Sequence, residues 1–368
     1  MAYKPFKGQG GSRMQNPHDQ AAIIAAPDPE YRFTSQDGEE SEVDSALGDD
    51  AFSDSSSHNS VTPSILEYRT IQGRTFHSER HSSFYLFPND EQQLRSVDIT
   101  HHYLRMLIGD KLFLAPISDN VQRVLDVGTG SGIWAIVFAE EYPQAEVTGT
   151  DLSPMQPLWV PANVKFEMDD CTQPWIWPEH HFDFVHIRFL FGAIADWDEL
   201  LQQAYRVTKP GGWVQSCEAD VEIRSDDGTV TPDSSYEQFW NSLYRNAGQR
   251  LGVSFQPIQD DVQKKAIEGA GFVNVHIRDF KFPIGGWPAD ENLAEIGKYA
   301  QLTLLNDAEG YTIFLWNTVM GENAPGYQEA LFRMRQDLRN KRIHGYMRCR
   351  YVYAQKPETP SASTSTWS

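Results

Sequence analysis

The stretch VLDVGTGSG at residues 124–132 restricts what this chain can fold into more than any other segment. An apolar run ends in glycines at alternate positions, Gly128, Gly130 and Gly132, and an apolar helical pattern from about Ser131 to Tyr142 follows. That order reads as strand, tight turn, helix. Without side chains, the turn lets backbone pass close to a ligand while the first N–H groups of the helix face it. The spacing is GxGxG, unlike the GxGxxG of dinucleotide sites, and no GK[ST] follows, so a cradle for pyrophosphate is not expected.

Three carboxylates sharpen the reading. Asp126 stands two residues before the first glycine, where it repels a pyrophosphate but suits a ligand carrying an ammonium or sulfonium. Asp151 closes the next strand, 23 residues after Gly128, where a carboxylate accepts both ribose hydroxyls of a nucleoside. Asp170 ends the third strand, near an adenine edge. Each acid also has a plainer reading as a turn or helix cap, and Asp151 would equally suit the ribose of a nicotinamide cofactor. Their common place, at the carboxyl ends of successive parallel strands, is where open α/β sheets bind ligands.

Strand and helix alternate around the turn: strands at 123–128, 145–151, 163–169, 182–189 and 212–219, and helices at about 131–142 and 196–208. A helix at 260–270 and a strand in FVNVHIRDF extend the pattern, 285–345 is mostly helical, and YMRCRYVYAQKP reads as a last strand. Apolar positions Leu94, Val97, Leu104, Leu107 and Ile108 place an amphipathic helix before the sheet, capped by Asn89 or Asp90. The expected fold is α/β, a doubly wound and mostly parallel sheet. Its divisions are an acidic, serine-rich, disordered tail at 1–63, a helical lid segment at 64–119, a core at 120–284, a helical insertion at 285–345, the last strand at 346–357 and a frayed end at 358–368. The tail reading rests on ten acidic residues against one basic between Asp28 and Asp54, a composition that buries too little apolar surface to offset ordering entropy.

A net charge of −20 argues against broad phosphate neutralisation, so no direct nucleic-acid partner is expected. Three widely spaced cysteines assemble neither a disulfide framework nor a CxxC metal site, which suits a reducing compartment. No run of 18 apolar residues exists, so no membrane partner is expected.

The motifs VLDVGTGSG, GTDLSPMQP, FEMDDCTQPW, FDFVHIRF and VTKPGGWV, in that order, resemble the class I S-adenosylmethionine-dependent methyltransferases. GRTFHSERHSSFYLFPNDEQQ and LFGAIADWDELLQQAYRVTKPGGW narrow the resemblance to the fungal LaeA-like methyltransferases of secondary metabolism. It implies seven strands with the last antiparallel, and S-adenosylmethionine as cofactor. The methionyl part is then expected against Asp126, Gly128, Gly130 and Gly132, the ribose on Asp151, the adenine near Leu152, Asp170 and Cys171, and Arg188 beside the cofactor. It also implies a small-molecule or peptide substrate in the cytoplasm or, for a LaeA-like regulator, velvet-type protein partners in the nucleus.

A hydroxyl or protonated amine acceptor needs a group to take its proton. The candidates are Glu218 and His186, with Tyr85, His101 and His102 from the preceding segment. His186 reads equally as a hydrogen-bonded core histidine. Aromatic residues outside the sheet, Phe84, Tyr85, Phe87, Trp175, Trp177, Trp287, Tyr299 and Trp316, supply packing or a substrate lid, with Tyr85, His101 and Trp287 the named lid candidates. The pairs His77/His81 and His101/His102 lack a matching carboxylate ligand, and no metal is assigned. The basic stretch 332–350 reads as a solvated face, or as a surface for an acidic partner.

Overall fold

The computed structural model describes residues 68–78 and 85–358. The expected tail at 1–63, residues 359–368 of the expected frayed end, His81 and Phe84 lie outside the described residues.

A hairpin comes first, β1 (Arg69–Ile71) against β2 (Arg74–Phe76), turning through Gln72 and Gly73, both at positive φ as a two-residue hairpin turn requires. Helix α1 (Glu91–Leu107) follows, and Asp90 caps it by accepting from Gln93 N. The chain then alternates through β3 (Arg123–Val127), α2 (Ile133–Glu141), β4 (Glu146–Asp151), β5 (Val164–Met168), β6 (Phe182–Arg188), α3 (Trp197–Val207) and β7 (Thr208–Arg224). A π-helical turn at Tyr236–Asn241 runs into α4 (Ser242–Leu251), then α5 (Val262–Gly269) and β8 (Val273–Pro283). Helices α6 (Glu291–Asp307), α7 (Ile313–Met320) and α8 (Tyr327–Arg339) precede the last strand, β9 (Tyr346–Gln355).

The sheet has seven strands in the order β5-β4-β3-β6-β7-β9-β8. Only β9 runs against its neighbours, β7 and β8. The strand order reverses between β3 and β6, and the crevice outside their carboxyl ends is where such a sheet opens to a ligand.

Alternation along the strands sorts side chains between two cores. Val124 and Phe184 pack with Trp134 and Phe138 of α2, while Leu125, Val127, Val185 and Ile187 pack with Leu200 and Leu201 of α3. A third apolar cluster stands apart from both. It gathers α1, α4, α6, α7 and α8 around Ala219, Val221 and Ile223, the far half of β7.

The hairpin β1–β2, inside the stretch expected to be a helical lid segment, the length of β7, and the π-turn with α4 differ from the sequence reading. Strand β7 spans 17 residues instead of the eight at 212–219, because its far half is an inner post of this helical cluster. The π-turn and α4 were not expected at all, although Tyr236, Phe239, Trp240, Leu243, Tyr244 and Ala247 recur at helical spacing and are all buried.

Candidate functional site

The glycine turn sits at the strand-order reversal. Gly128, Gly130 and Gly132 have φ of 68°, 59° and 80°, the left-handed region where other L-residues are strained. Neighbours clamp the turn from every side. Thr129 Oγ1 donates to Asp126 Oδ2 at 2.6 Å, and Thr129 N donates to Thr150 O. Gly130 N donates to Asp151 Oδ2 at 2.8 Å, and Gln156 Nε2 donates to Gly130 O at 2.7 Å. From α1, Asp98 accepts from Ser131 Oγ at 2.7 Å. Thr129 and Gln156 lie inside the motifs VLDVGTGSG and GTDLSPMQP but were given no role of their own in the sequence reading, and Asp98 lies outside every motif.

One continuous cavity opens above the turn. At one end its wall holds Gly128, Gly130, Asp151, Leu152, Asp170 and Cys171, bringing six of the expected cofactor residues together. Asp151 also accepts from Ser153 N at 3.2 Å, so it is at once a backbone cap and a wall residue. Burial, and the nearby charge of Asp126, push its carboxyl up to about 6, although backbone donors oppose the shift. Asp170 accepts from Thr172 N and Oγ1, a turn cap that also faces the cavity. Burial holds the Cys171 thiol well above its ordinary range.

Arg188 is the only Lys or Arg on this wall among the described residues. Its guanidinium meets His101 Nδ1 at 3.3 Å and makes no ion pair among the described residues. Burial, with the charge of Arg188, pulls His101 down to about 2, so its imidazole is neutral and Nδ1 is free to accept. His101 itself stands behind Arg188, outside the cavity wall.

Five expected roles meet a different geometry. Asp126 does not line the cavity: its two oxygens take Thr129 and His186, so it braces the turn from below. His186, its register partner on β6, donates from Nδ1 at 2.7 Å and stacks on Trp134 with centroids 3.8 Å apart. Burial lowers its pKa, and strand alternation turns it toward α2, away from any acceptor. Glu218 is fully buried beside the loop after β6, accepting from Leu190 N at 3.1 Å and Phe191 N at 2.9 Å. Burial pushes its carboxyl up to about 8. It thereby holds Phe189, which lines the cavity at φ 56°, in a strained turn. Trp287 donates to Gly345 O and stacks on His344, away from the cavity. Gly132 lies off the wall too, as the cap of α2.

The far end of the cavity is an apolar chamber that the sequence reading identified only in Tyr85 and Phe87. Trp240, Tyr244, Phe282, Leu304, Tyr311 and Met347 close it, drawn from β8, β9 and the helical cluster. His102 packs edge-on against Tyr299 and does not line the cavity. His77 is held by Arg69 and by Tyr85 N, and no group of three or more His, Cys, Asp and Glu suited to a metal occurs among the described residues. In the basic stretch, Arg348 pairs with buried Asp220, Arg350 with Asp261 and Asp279, and Arg333 with Glu329. No helix among the described residues is long and apolar enough to cross a membrane.

The profile of the family described as Methyltransferase domain matches residues 99–277. Methyltransferase pytC of Aspergillus terreus is 34% identical over 303 residues, 82% of this chain and 92% of that protein. Secondary metabolism regulator LAE1 of Cochliobolus heterostrophus is 32% identical over 293 residues, 78% of this chain and 94% of that protein. Among solved structures, Haemonchus contortus phosphoethanolamine N-methyltransferase 2 aligns with a TM-score of 0.40 and 20% identity over 72% of this chain and 52% of the other.

Proposed function

This chain belongs to the S-adenosylmethionine-dependent methyltransferases related to fungal secondary-metabolism proteins, and we propose that it methylates a small, largely apolar molecule held in the chamber beyond the glycine turn. The observation that carries this reading is the single cavity, with a nucleoside-type wall at one end and an aromatic chamber at the other. The chamber lies beneath α1 and α6, and closed apolar walls of this kind suit a small molecule.

The residues at the first end fit the cofactor. The Asp151 carboxylate, with two oxygens and about four lone-pair sites, keeps acceptor capacity for ribose hydroxyls beyond its two backbone donors. Arg188, a cation without an ion pair among the described residues, suits the methionyl carboxylate. Gly128 and Gly130 let the backbone approach closely, and Leu152 and Cys171 offer apolar surface for the base. When bound, the cofactor supplies an electrophilic methyl group on a sulfonium. The protein's part is to align an acceptor opposite the sulfur and to keep water out.

No carboxylate or imidazole lines the far chamber among the described residues, and its phenols, Tyr85, Tyr103, Tyr244 and Tyr311, are pushed above their ordinary range by burial. The reading therefore needs an acceptor that brings its own electron pair, as a neutral nitrogen or sulfur or as a hydroxyl acidic enough to ionise. Calorimetric titration with S-adenosylmethionine and S-adenosylhomocysteine, then labelled-methyl transfer to fungal extract, tests it. Micromolar binding and a labelled small molecule are expected; a folded chain binding neither ligand overturns it.

The likeness to LAE1 favours a second reading, a regulator working through velvet-type protein partners. Removing residues 1–63 separates the two. An enzyme of the first kind keeps its methyl transfer, whereas a regulator that docks through this acidic segment loses partner capture.

A further inference from the structure

Resting on the methyl-transfer reading, the chemistry of the far chamber narrows the acceptor. Gln93 stands in the first turn of α1, placed there by the Asp90 cap that accepts its backbone N–H at 3.1 Å. The residue is 4% exposed and lines the cavity. Its amide also lies beside the Tyr311 hydroxyl, together with Ser96 and Thr100. Yet Gln93 Oε1 is buried without a hydrogen-bond partner among the described residues. A buried acceptor left unpaired is costly, and a ligand that donates to it removes that cost.

The charged residues of the cavity wall, Asp151, Asp169, Asp170 and Arg188, belong to its cofactor end. The nearest ion group, Arg74 with Asp90 and Asp307, is closed on itself at 2.5 to 2.8 Å. The wall around Gln93 is otherwise rings and aliphatic groups. Phe87 meets Tyr311 edge-on at 5.2 Å, Trp240 meets Tyr244 at 4.9 Å, and Tyr103 meets Phe282 at 5.4 Å. A carboxylate or phosphate placed there is desolvated without a partner.

We infer that the chamber selects an uncharged, ring-bearing apolar acceptor that donates a hydrogen bond, from a hydroxyl or N–H, to Gln93 Oε1. Gln93 is thus a specificity residue for the acceptor, independent of which atom is methylated.

Four probes share one ring system and differ at one group: 2-naphthol, naphthalene, 2-naphthoate and 2-naphthylmethylammonium. Equilibrium dialysis of each against the full chain saturated with S-adenosylhomocysteine reads their affinities directly. The expected result is 2-naphthol binding at least tenfold more tightly than the other three, with Gln93→Leu erasing its advantage over naphthalene while naphthalene itself stays within threefold. Tighter or equal binding of either ion, no binding of any probe, or an unchanged naphthol preference in Gln93→Leu overturns the inference. The wild-type comparison of naphthol with the ions stands even if the variant does not fold. Absence of S-adenosylhomocysteine binding, measured first, overturns the methyltransferase site reading instead, so the two failures are distinguishable.

Discussion

Asp151 serves the fold and the site with the same two oxygens. It accepts from Gly130 N and Ser153 N, pinning the glycine turn to the end of β4, and it faces the cavity. Asp151→Ala should therefore weaken S-adenosylmethionine binding by about 1–3 kcal/mol, the range for lost hydrogen bonds to a charged group. Calorimetry checks it, and unchanged affinity would show a cap and nothing more. Glu218 yields a pH prediction. Its carboxyl is raised by burial from an ordinary 4.5 to about 8. Between those values the folded chain binds more protons than the unfolded one, so this group's contribution to stability falls as pH rises from about 4.5 to about 8. Urea denaturation at several pH values should show the advantage of wild type over Glu218→Gln shrinking across that window; a constant difference contradicts the raised pKa. Both Glu218 and His186 were visible in the sequence as titratable groups, Glu218 near the end of an inner strand and His186 within one. Their orientation was not, because it depends on which face the helices cover and on where the loop after β6 turns.

At the scale of elements, the glycine turn was legible because each of its three glycines answers to backbone conformation, a property written into residue type. The neighbours that each one excludes were not. A Cβ on Gly130 would meet only Val97 Cγ1 at 3.5 Å, on α1, while a Cβ on Gly132 would enter the Phe166 ring at 2.4 Å. Both sites strain any side chain by about 1–2 kcal/mol through positive φ. Gly132→Ala should accordingly lower the thermal midpoint more than Gly130→Ala. Gly130→Val should abolish cofactor binding in a protein that still melts cooperatively. Equal midpoints for the two alanine variants would mean that Phe166 swings aside freely. The central strands β3 and β6 were recognisable from largely apolar runs buried on both faces, while β4 (EVTGTD) and β5 (VKFEM) were recognisable from their place in the strand–helix alternation. Helix α4 escaped although both signals were present: the apolar spacing, and Ser234 three residues ahead of Glu237, whose N–H donates to Ser234 Oγ at 3.4 Å where the π-turn begins.

The chamber belongs to the whole molecule, since segments far apart in sequence close it, and that is why only its nearest edge was legible. Arg74 of the hairpin illustrates the tie. It holds Asp307 of α6, 233 residues away, through Nη1 and Nη2 at 2.6 and 2.8 Å, and grips Asp90, the cap of α1, through Nε and the shared Nη2. The Asp307 side chain is completely buried and also accepts from Gly310 N. Arg74→Met strips its counterion and should cost about 3–5 kcal/mol, the range for orphaning one member of a buried pair. If that burden lies on Asp307, the double variant Arg74→Met, Asp307→Leu should recover much of the loss, because a pair replaced by apolar groups of similar size is often near neutral. Denaturant titration of the wild type, both single variants and the double variant reads the coupling directly. A double variant no more stable than Arg74→Met alone would move the weight to Asp90, and the hairpin would then secure the chamber by fixing the start of α1, where Gln93 stands, instead of by clasping α6.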